Sequence, residues 1–185
     1  MRLCKLLPVL ALVAAPSFAQ EAHFGAQVGV SFPQGDLKDT DTMGNKLGYT
    51  AGINLGLEFQ GGHVLRPRMD YTQYKRTDTA IFAEPIDLKI TTLFCGADYS
   101  YFVGGKADQG FYLLAGLGYT NTKTAVSGST YNSSQSKGAF AYAVGAGFQF
   151  TPMIGAEVRY NSSRPVFYGE TIKIDAVSAA ITLRF

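Results

Sequence analysis

The feature that most constrains this chain is a hydrophobic alternation of period two sustained over long stretches. Phe24, Ala26, Val28, Val30 and Phe32 fall on one face, and Gly25, Gln27, Gly29 and Ser31 on the other. Side chains at i and i+2 share a face only in extended chain, so this is a strand and not a helix. From 47 to 59, Leu47, Tyr49, Ala51, Ile53, Leu55, Leu57 and Phe59 alternate with Gly48, Thr50, Gly52, Asn54, Gly56 and Glu58. A usual globular strand has about 5 or 6 residues, whereas a tilted membrane crossing takes about 9–11. The same pattern predicts strands over 24–32, 47–59, 65–74, 93–102, 111–119, 139–150, 154–161 and 177–185.

The charges decide which face meets which solvent. The mature lysines, at 38, 46, 75, 89, 106, 123, 137 and 173, fall in connections or at strand ends. The non-apolar face is mainly Gly, Ala, Ser and Thr, with isolated Glu58, Arg66, Arg68, Asp70, Asp98, Glu157 and Arg159. A water-facing exterior would be about 25–35% charged, so the sparse face is the inside of a narrow barrel and the apolar face meets lipid. No apolar run reaches the roughly 18 residues of a membrane helix.

The connections alternate in length: 33–46, 75–92, 120–138 and 162–176 are long, while 61–63, 103–110 and 151–153 are short. Short periplasmic turns and longer outer loops are the mark of an outer-membrane barrel with both termini on the short-turn side. Phe24, Phe59, Tyr101, Phe111, Phe148, Phe150 and Phe185 fall at one set of strand ends. Phe32, Tyr49, Tyr71, Tyr119, Phe140, Tyr142 and Tyr160 fall at the other, which predicts two interfacial girdles. The expected fold is all-β, an eight-stranded antiparallel up-and-down transmembrane β-barrel.

Residues 1–19 read as a secretory leader and 20–185 as the barrel domain. Arg2 and Lys5 precede an apolar stretch over 6–15, and Ser17 and Ala19 place small residues where a signal peptidase reads. Without Arg2 and Lys5, 14 basic side chains stand against 14 acidic ones. With no net charge and no basic stripe, no nucleic-acid partner is expected. Cys4 precedes the apolar stretch, the wrong side for lipidation, and Cys95 is the single thiol left.

With these residues in place the chain resembles the small eight-stranded OmpA/OmpX-type outer membrane β-barrel family over nearly all of 20–185. Val177, Ala179, Ile181, Leu183 and the terminal Phe185 are similar to the family's C-terminal assembly signal. Ala180 stands where the fuller motif has Gly, and Ala179 where it has a polar residue. The resemblance implies a Gram-negative type outer membrane, with lipid and lipopolysaccharide around the barrel and the outer-membrane assembly machinery as a partner during biogenesis. It implies no chemistry, because such folds host enzymes, adhesins and inert anchors alike.

Barrel enzymes resemble one another in placing a His with Ser, Asp or Glu near the outer leaflet, since imidazole is suited to proton transfer near neutral pH. The only histidines, His23 and His63, fall on the periplasmic side, so no enzyme, catalytic residue, metal or cofactor is expected. Asp36, Asp39, Asp41 and Gly44 lie close together in the first long connection, but Met43 occupies a would-be ligand position and no Glu closes a calcium loop. The Ser, Thr, Asn and Gly run over 121–137 reads either as a surface loop or as a contact surface for an extracellular partner.

Glu58, Arg66, Arg68, Asp70, Asp98, Glu157 and Arg159 are predicted to form a lumen charge network. Carrying the inward phase around the 61–63 turn pairs Glu58 with Arg66, Gly56 with Arg68 and Asn54 with Asp70. Around 151–153 it pairs Glu157 with Gly147 and Arg159 with Gly145. An eight-stranded interior is just wide enough for side chains to fill. Two functions remain open: a structural or surface-interaction barrel whose lumen is plugged by salt bridges, and a narrow porin-like channel for small solutes. Three places break the pattern. Pro67 lies inside a strand. Ile86, Leu88 and Ile90 are out of phase with Leu93, and Ile172 and Ile174 with Val177, so bulges are expected near Thr91 and Ala176.

Overall fold

A computed structural model describes residues 21–38, 47–78, 86–127, 132–167 and 170–185. At 77, 78, 86, 87, 132 and 167 only the backbone is described. The strands are β1 (Glu21–Gln34), β2 (Gly48–Phe59), β3 (His63–Asp78), β4 (Ile86–Phe102), β5 (Gly110–Ser127), β6 (Asn132–Gln149), β7 (Ile154–Ser163) and β10 (Ile174–Arg184). Each pairs antiparallel with its chain neighbour, and β1 closes on β10, giving an eight-stranded barrel without an edge. A small outer ribbon joins β8 (Val166–Phe167) to β9 (Glu170–Thr171). Gly35–Leu37 forms a single 3₁₀ turn after β1.

The lipid-facing positions are mostly as the alternation predicts; Leu57, expected on the outer face, is instead buried, beside the break in the β2–β3 ladder. Phe24, Val28, Ile53, Leu113, Leu117, Phe140, Val144, Val158 and Ile181 are large apolar side chains exposed on the outside. In water such a surface would drive association; in a bilayer it is the solvated state. Tyr49, Tyr71, Tyr119 and Tyr142 are exposed at the outer ends and Tyr101, Phe111, Phe150 and Phe185 at the inner ends.

Register corrects three expectations. The first turn closes earlier than predicted, over 60–62. Gly61 and Gly62 take φ values of 80° and 79°, and Phe59 pairs with His63. Glu58 therefore opposes Val64, Asn54 opposes Arg68 and Gly52 opposes Asp70, two positions away from the sequence-derived pairs. The tight turn is anchored from β4, where the Phe102 N–H donates to the Gly62 carbonyl at 2.8 Å. Across β6 and β7, Gly147 opposes Glu157 and Gly145 opposes Arg159, the predicted register.

The second correction concerns the bulges. β3 and β4 pair in one register from His63↔Tyr101 to Asp78↔Ile86, and β4 with β5 from Phe102↔Tyr112 to Asp87↔Ser127. β10 likewise pairs through Ile174↔Ser163 without a break near Ala176. Ile90 and Ile174 simply point inward and are buried. Thirdly, much of the expected loop length at 75–92 and 120–138 is strand: β5 and β6 run 18 residues each, well past a bilayer crossing of about 9–11.

Pro67 sits at an interruption. The β2–β3 pairs run from Gly48↔Tyr74 to Asn54↔Arg68 and resume at Leu57↔Leu65, leaving out the positions opposite Pro67 and Arg66. On the other side Pro67 pairs with Ala97 in an unbroken ladder. A strand residue turns its N–H and C=O to the same neighbour, so the proline ring directs its missing donor at β2.

Candidate functional site

The inward side chains of β3, β4 and β7 converge at mid-barrel. Arg66, Arg68 and Asp70 come from β3, Asp98 from β4, and Glu157 and Arg159 from β7. Arg66 Nη2 donates to Glu157 Oε2 at 2.8 Å. Arg68 Nη1 donates to Asp98 Oδ2 at 2.7 Å, while its Nε donates to Asp70 Oδ2 at 2.8 Å. Arg159 Nη2 completes the cluster on Asp98 Oδ1 at 2.7 Å. Three guanidiniums thus face three carboxylates, and Asp98, bridged by two arginines, is fully shielded from solvent. Charge-assisted pairs of this kind are what allows ions to be buried at all.

Glycines make room for them. A Cβ at Gly116 would lie 2.0 Å from Asp98 Oδ1, and one at Gly52 2.0 Å from Asp70 Oδ1. At these two carboxylates the facing wall must lack a side chain.

Glu58 stands apart from this cluster, which corrects its expected pairing with Arg66. At the periplasmic mouth it accepts from Arg184 Nη2 and lies 3.4 Å from His23 Nε2. Arg66, freed by the shifted register, crosses the lumen to Glu157 on the far wall.

Four partners escaped the sequence reading. The Tyr112 hydroxyl donates to Glu157 at 3.0 Å, Gln27 Nε2 donates to Asp70 at 2.7 Å, and Phe94 lies under the Arg159 guanidinium at 5.6 Å. Arg184, at the end of β10, holds Glu58. Their parity was the available signal: each is in phase with the small inward residues of its own strand.

Two small cavities flank the charged layer. The outer one, about 60 Å³, is lined by Gln27, Ser31, Thr50, Thr120, Arg159 and Ser178. It has room for a few waters, and the Arg159 Nε has no protein acceptor. The inner one, about 30 Å³, lies among Asn54, Arg66, Tyr112, Gln149 and Arg184.

Each end of the lumen is then filled by apolar groups. On the outer side Leu37, Tyr74, Ile90, Ile174 and Ala176 pack together, with Leu88 and Ile172 against them. Leu37 is carried there by the 3₁₀ turn, which is tied down where the Lys173 N–H donates to Asp36 Oδ2 at 2.8 Å. On the inner side Val64, Phe102, Ala107, Tyr112 and Leu114 form a second cluster.

The histidines lie where expected, away from the outer leaflet. His63 faces outward beside Tyr101, with its Nδ1 2.5 Å from the Tyr99 hydroxyl. Among the described residues, Glu21, His23 and Glu58 are the group that could hold a metal, with ligand atoms within 4.8 Å of one another; Arg184 already neutralises Glu58. Asp36 is spent on Lys173, and Asp39, Asp41 and Gly44 lie outside the described residues, as does the leader at 1–19. Val177, Ala179, Ile181 and Leu183 share the outward face of β10, opposite Phe32, Val30, Val28 and Ala26 of β1, and the Phe185 N–H donates to the Phe24 carbonyl at 2.8 Å.

An edgeless antiparallel barrel with an apolar exterior, aromatic ends and an ion-paired interior defines an eight-stranded transmembrane barrel of the outer-membrane class. The chain belongs to the outer membrane protein beta-barrel domain family, whose model matches residues 6–185, and it is an outer-membrane protein. Its fold is similar to that of Ail, the attachment invasion locus protein of Yersinia pestis (18% identity, 89% of this chain and 97% of that one, TM-score 0.60). Neisserial surface protein A is comparable (17%, 89% and 97%, TM-score 0.59), as is the N-terminal barrel of Pseudomonas aeruginosa OprF (13%, 90% and 99%, TM-score 0.58). No curated protein matches the sequence.

Proposed function

We propose that this protein is a closed-lumen outer-membrane barrel with a structural or surface-interaction role, presenting its outer hairpins to the cell exterior rather than passing solutes. The observation that carries this reading is the stacking along one lumen of an apolar cluster, a layer of three paired arginines and carboxylates, and a second apolar cluster. An ion crossing it would have to part guanidinium–carboxylate pairs in a space with room for only a few waters. The extension of β3, β4, β5 and β6 beyond a bilayer crossing supports a surface role. The placement of both histidines at the periplasmic end supports a non-enzymatic one.

Biogenesis follows from the same reading: residues 1–19 direct secretion and are removed, and Val177, Ala179, Ile181, Leu183 and Phe185 present the assembly signal. Deleting Phe185 should lower folded barrel in the outer membrane while secretion continues.

Planar-bilayer recording of the refolded protein tests the closed lumen. No discrete conductance is expected from wild type, and Asp98→Asn should not create one while the apolar clusters remain. Regular single-channel steps from wild type would replace this reading with a narrow channel.

A further inference from the structure

The periplasmic mouth holds a group of side chains that the closed lumen does not use. Glu21 of β1 and Glu58 of β2 are direct cross-strand partners. Glu21 and His23 are in phase with the buried Gln27 and Ser31 of β1, and Glu58 with the buried Thr50 of β2, so all three sit on the inward face. Like charges directly opposite each other destabilise a sheet. Arg184 donates to Glu58, but one guanidinium there meets two carboxylates, and the mouth is short of positive charge.

The distances at His23 are those of metal ligands. Its Nε2 lies 3.4 Å from Glu21 Oε2 and 3.4 Å from Glu58 Oε1, longer than a charge-assisted hydrogen bond of about 2.7–2.9 Å. With bonds of about 2.0–2.2 Å, the ligand atoms of a tetrahedral zinc ion stand about 3.4 Å apart. Both edges that meet at the imidazole therefore have the required length. The three ligand atoms fall within 4.8 Å of one another, and a turn of Glu21, whose side chain is exposed, closes the third edge. Glu58 keeps Arg184 while it binds, since a carboxylate accepts at about four lone-pair sites. An outer hydrogen bond of this kind holds a ligating carboxylate in place.

A water can fill the fourth position. His23 lines the inner cavity of about 30 Å³ together with Thr182 and Arg66. On that cavity the Thr182 hydroxyl and the Arg66 Nε are buried without a protein partner, and buried polar atoms of this kind hold water.

We propose that Glu21, His23 and Glu58 bind a zinc ion at the periplasmic mouth, which clips the first residues of β1 to the end of β2. The clip falls on Glu21↔Glu58, the pair that opens the β1–β2 ladder. One imidazole nitrogen among the ligands selects zinc over magnesium, which takes oxygen.

The test is zinc titration of the untagged, chelator-stripped barrel refolded in detergent, followed by calorimetry and by the imidazole NMR signals. His23 and His63 are the chain's two histidines, so one substitution assigns each signal. Wild type should bind one zinc saturably, with the His23 signal moving and the His63 signal fixed. His23→Gln and Glu21→Gln should each weaken binding by at least the roughly 10- to 100-fold that follows loss of an outer-shell partner, and His63→Gln should change nothing. Heat-modifiable migration confirms that each variant is folded. Zinc at about 100 times its Kd should favour the folded barrel about 100-fold, read as a higher urea midpoint in wild type and not in His23→Gln. Absence of saturable binding in wild type, or wild-type affinity in His23→Gln, would overturn the site. Equal stabilisation by magnesium would also overturn it, because general screening of the two glutamates would then account for the effect.

Discussion

The membrane belt and the outer extension of the same strands obey opposite rules. Along β4, Leu93 and Tyr99 face out while Asp98 and Ser100 are buried inside. A few residues further out, Lys89 faces out and Ile90 is buried inside. The register between these segments is continuous, so no side chain has switched faces; the solvent has. Within the bilayer the exterior is hydrocarbon and the interior polar, whereas above it the exterior is water and the interior closes as an ordinary apolar core. The phase break seen in the sequence at 86–93 and 172–177 marks the membrane surface and not a bulge.

The largest expected effect breaks the belt from inside. Asp98→Asn leaves Arg68 and Arg159 short of their shared carboxylate, and should cost about 3–5 kcal/mol in urea unfolding of the refolded barrel. A loss under about 1 kcal/mol would mean that lumen water, not ion pairing, solvates those arginines.

The exterior gives the sharpest contrast between the two regions. Ile53→Arg puts a charge against hydrocarbon and should cost about 2–4 kcal/mol, whereas Thr91→Arg, on the outer face above the belt, should cost under about 0.5 kcal/mol. Equal losses in lipid vesicles would place Thr91 inside the bilayer and remove the contrast.

Next comes the periplasmic mouth. A double-mutant cycle between Glu58→Gln and Arg184→Gln should show about 0.5–3 kcal/mol of coupling, and one between Glu58→Gln and Arg66→Gln close to none. The reverse result would restore the register read from the sequence.

The smallest effect belongs to Pro67→Ala, which returns a backbone donor facing β2. A gain of about 0.5–1.5 kcal/mol is expected if the ladder closes there, seen as slower amide exchange at Leu55 and Gly56; unchanged exchange would mean that the gap is set by the neighbouring chain and not by the ring.

The sequence by itself determined the barrel, its strand number, its lipid-facing columns and its aromatic ends. Those follow from a two-residue period and from which face excludes lysine, and both are local properties of the chain. It also marked the six charges of the central layer, though not Arg184 at the periplasmic mouth. What it did not determine was which charges meet. Moving the first turn to 60–62 displaced Glu58 from Arg66 by two positions, sending Glu58 to Arg184 and Arg66 across the lumen to Glu157. A partner reached across a barrel interior depends on the register of every strand between, and on glycines such as Gly116 that open the wall. Only the closed tertiary structure adds those displacements together. It decided as well that Ile90 and Ile174 fold inward, because the solvent beside each residue is set by its height in the assembled barrel.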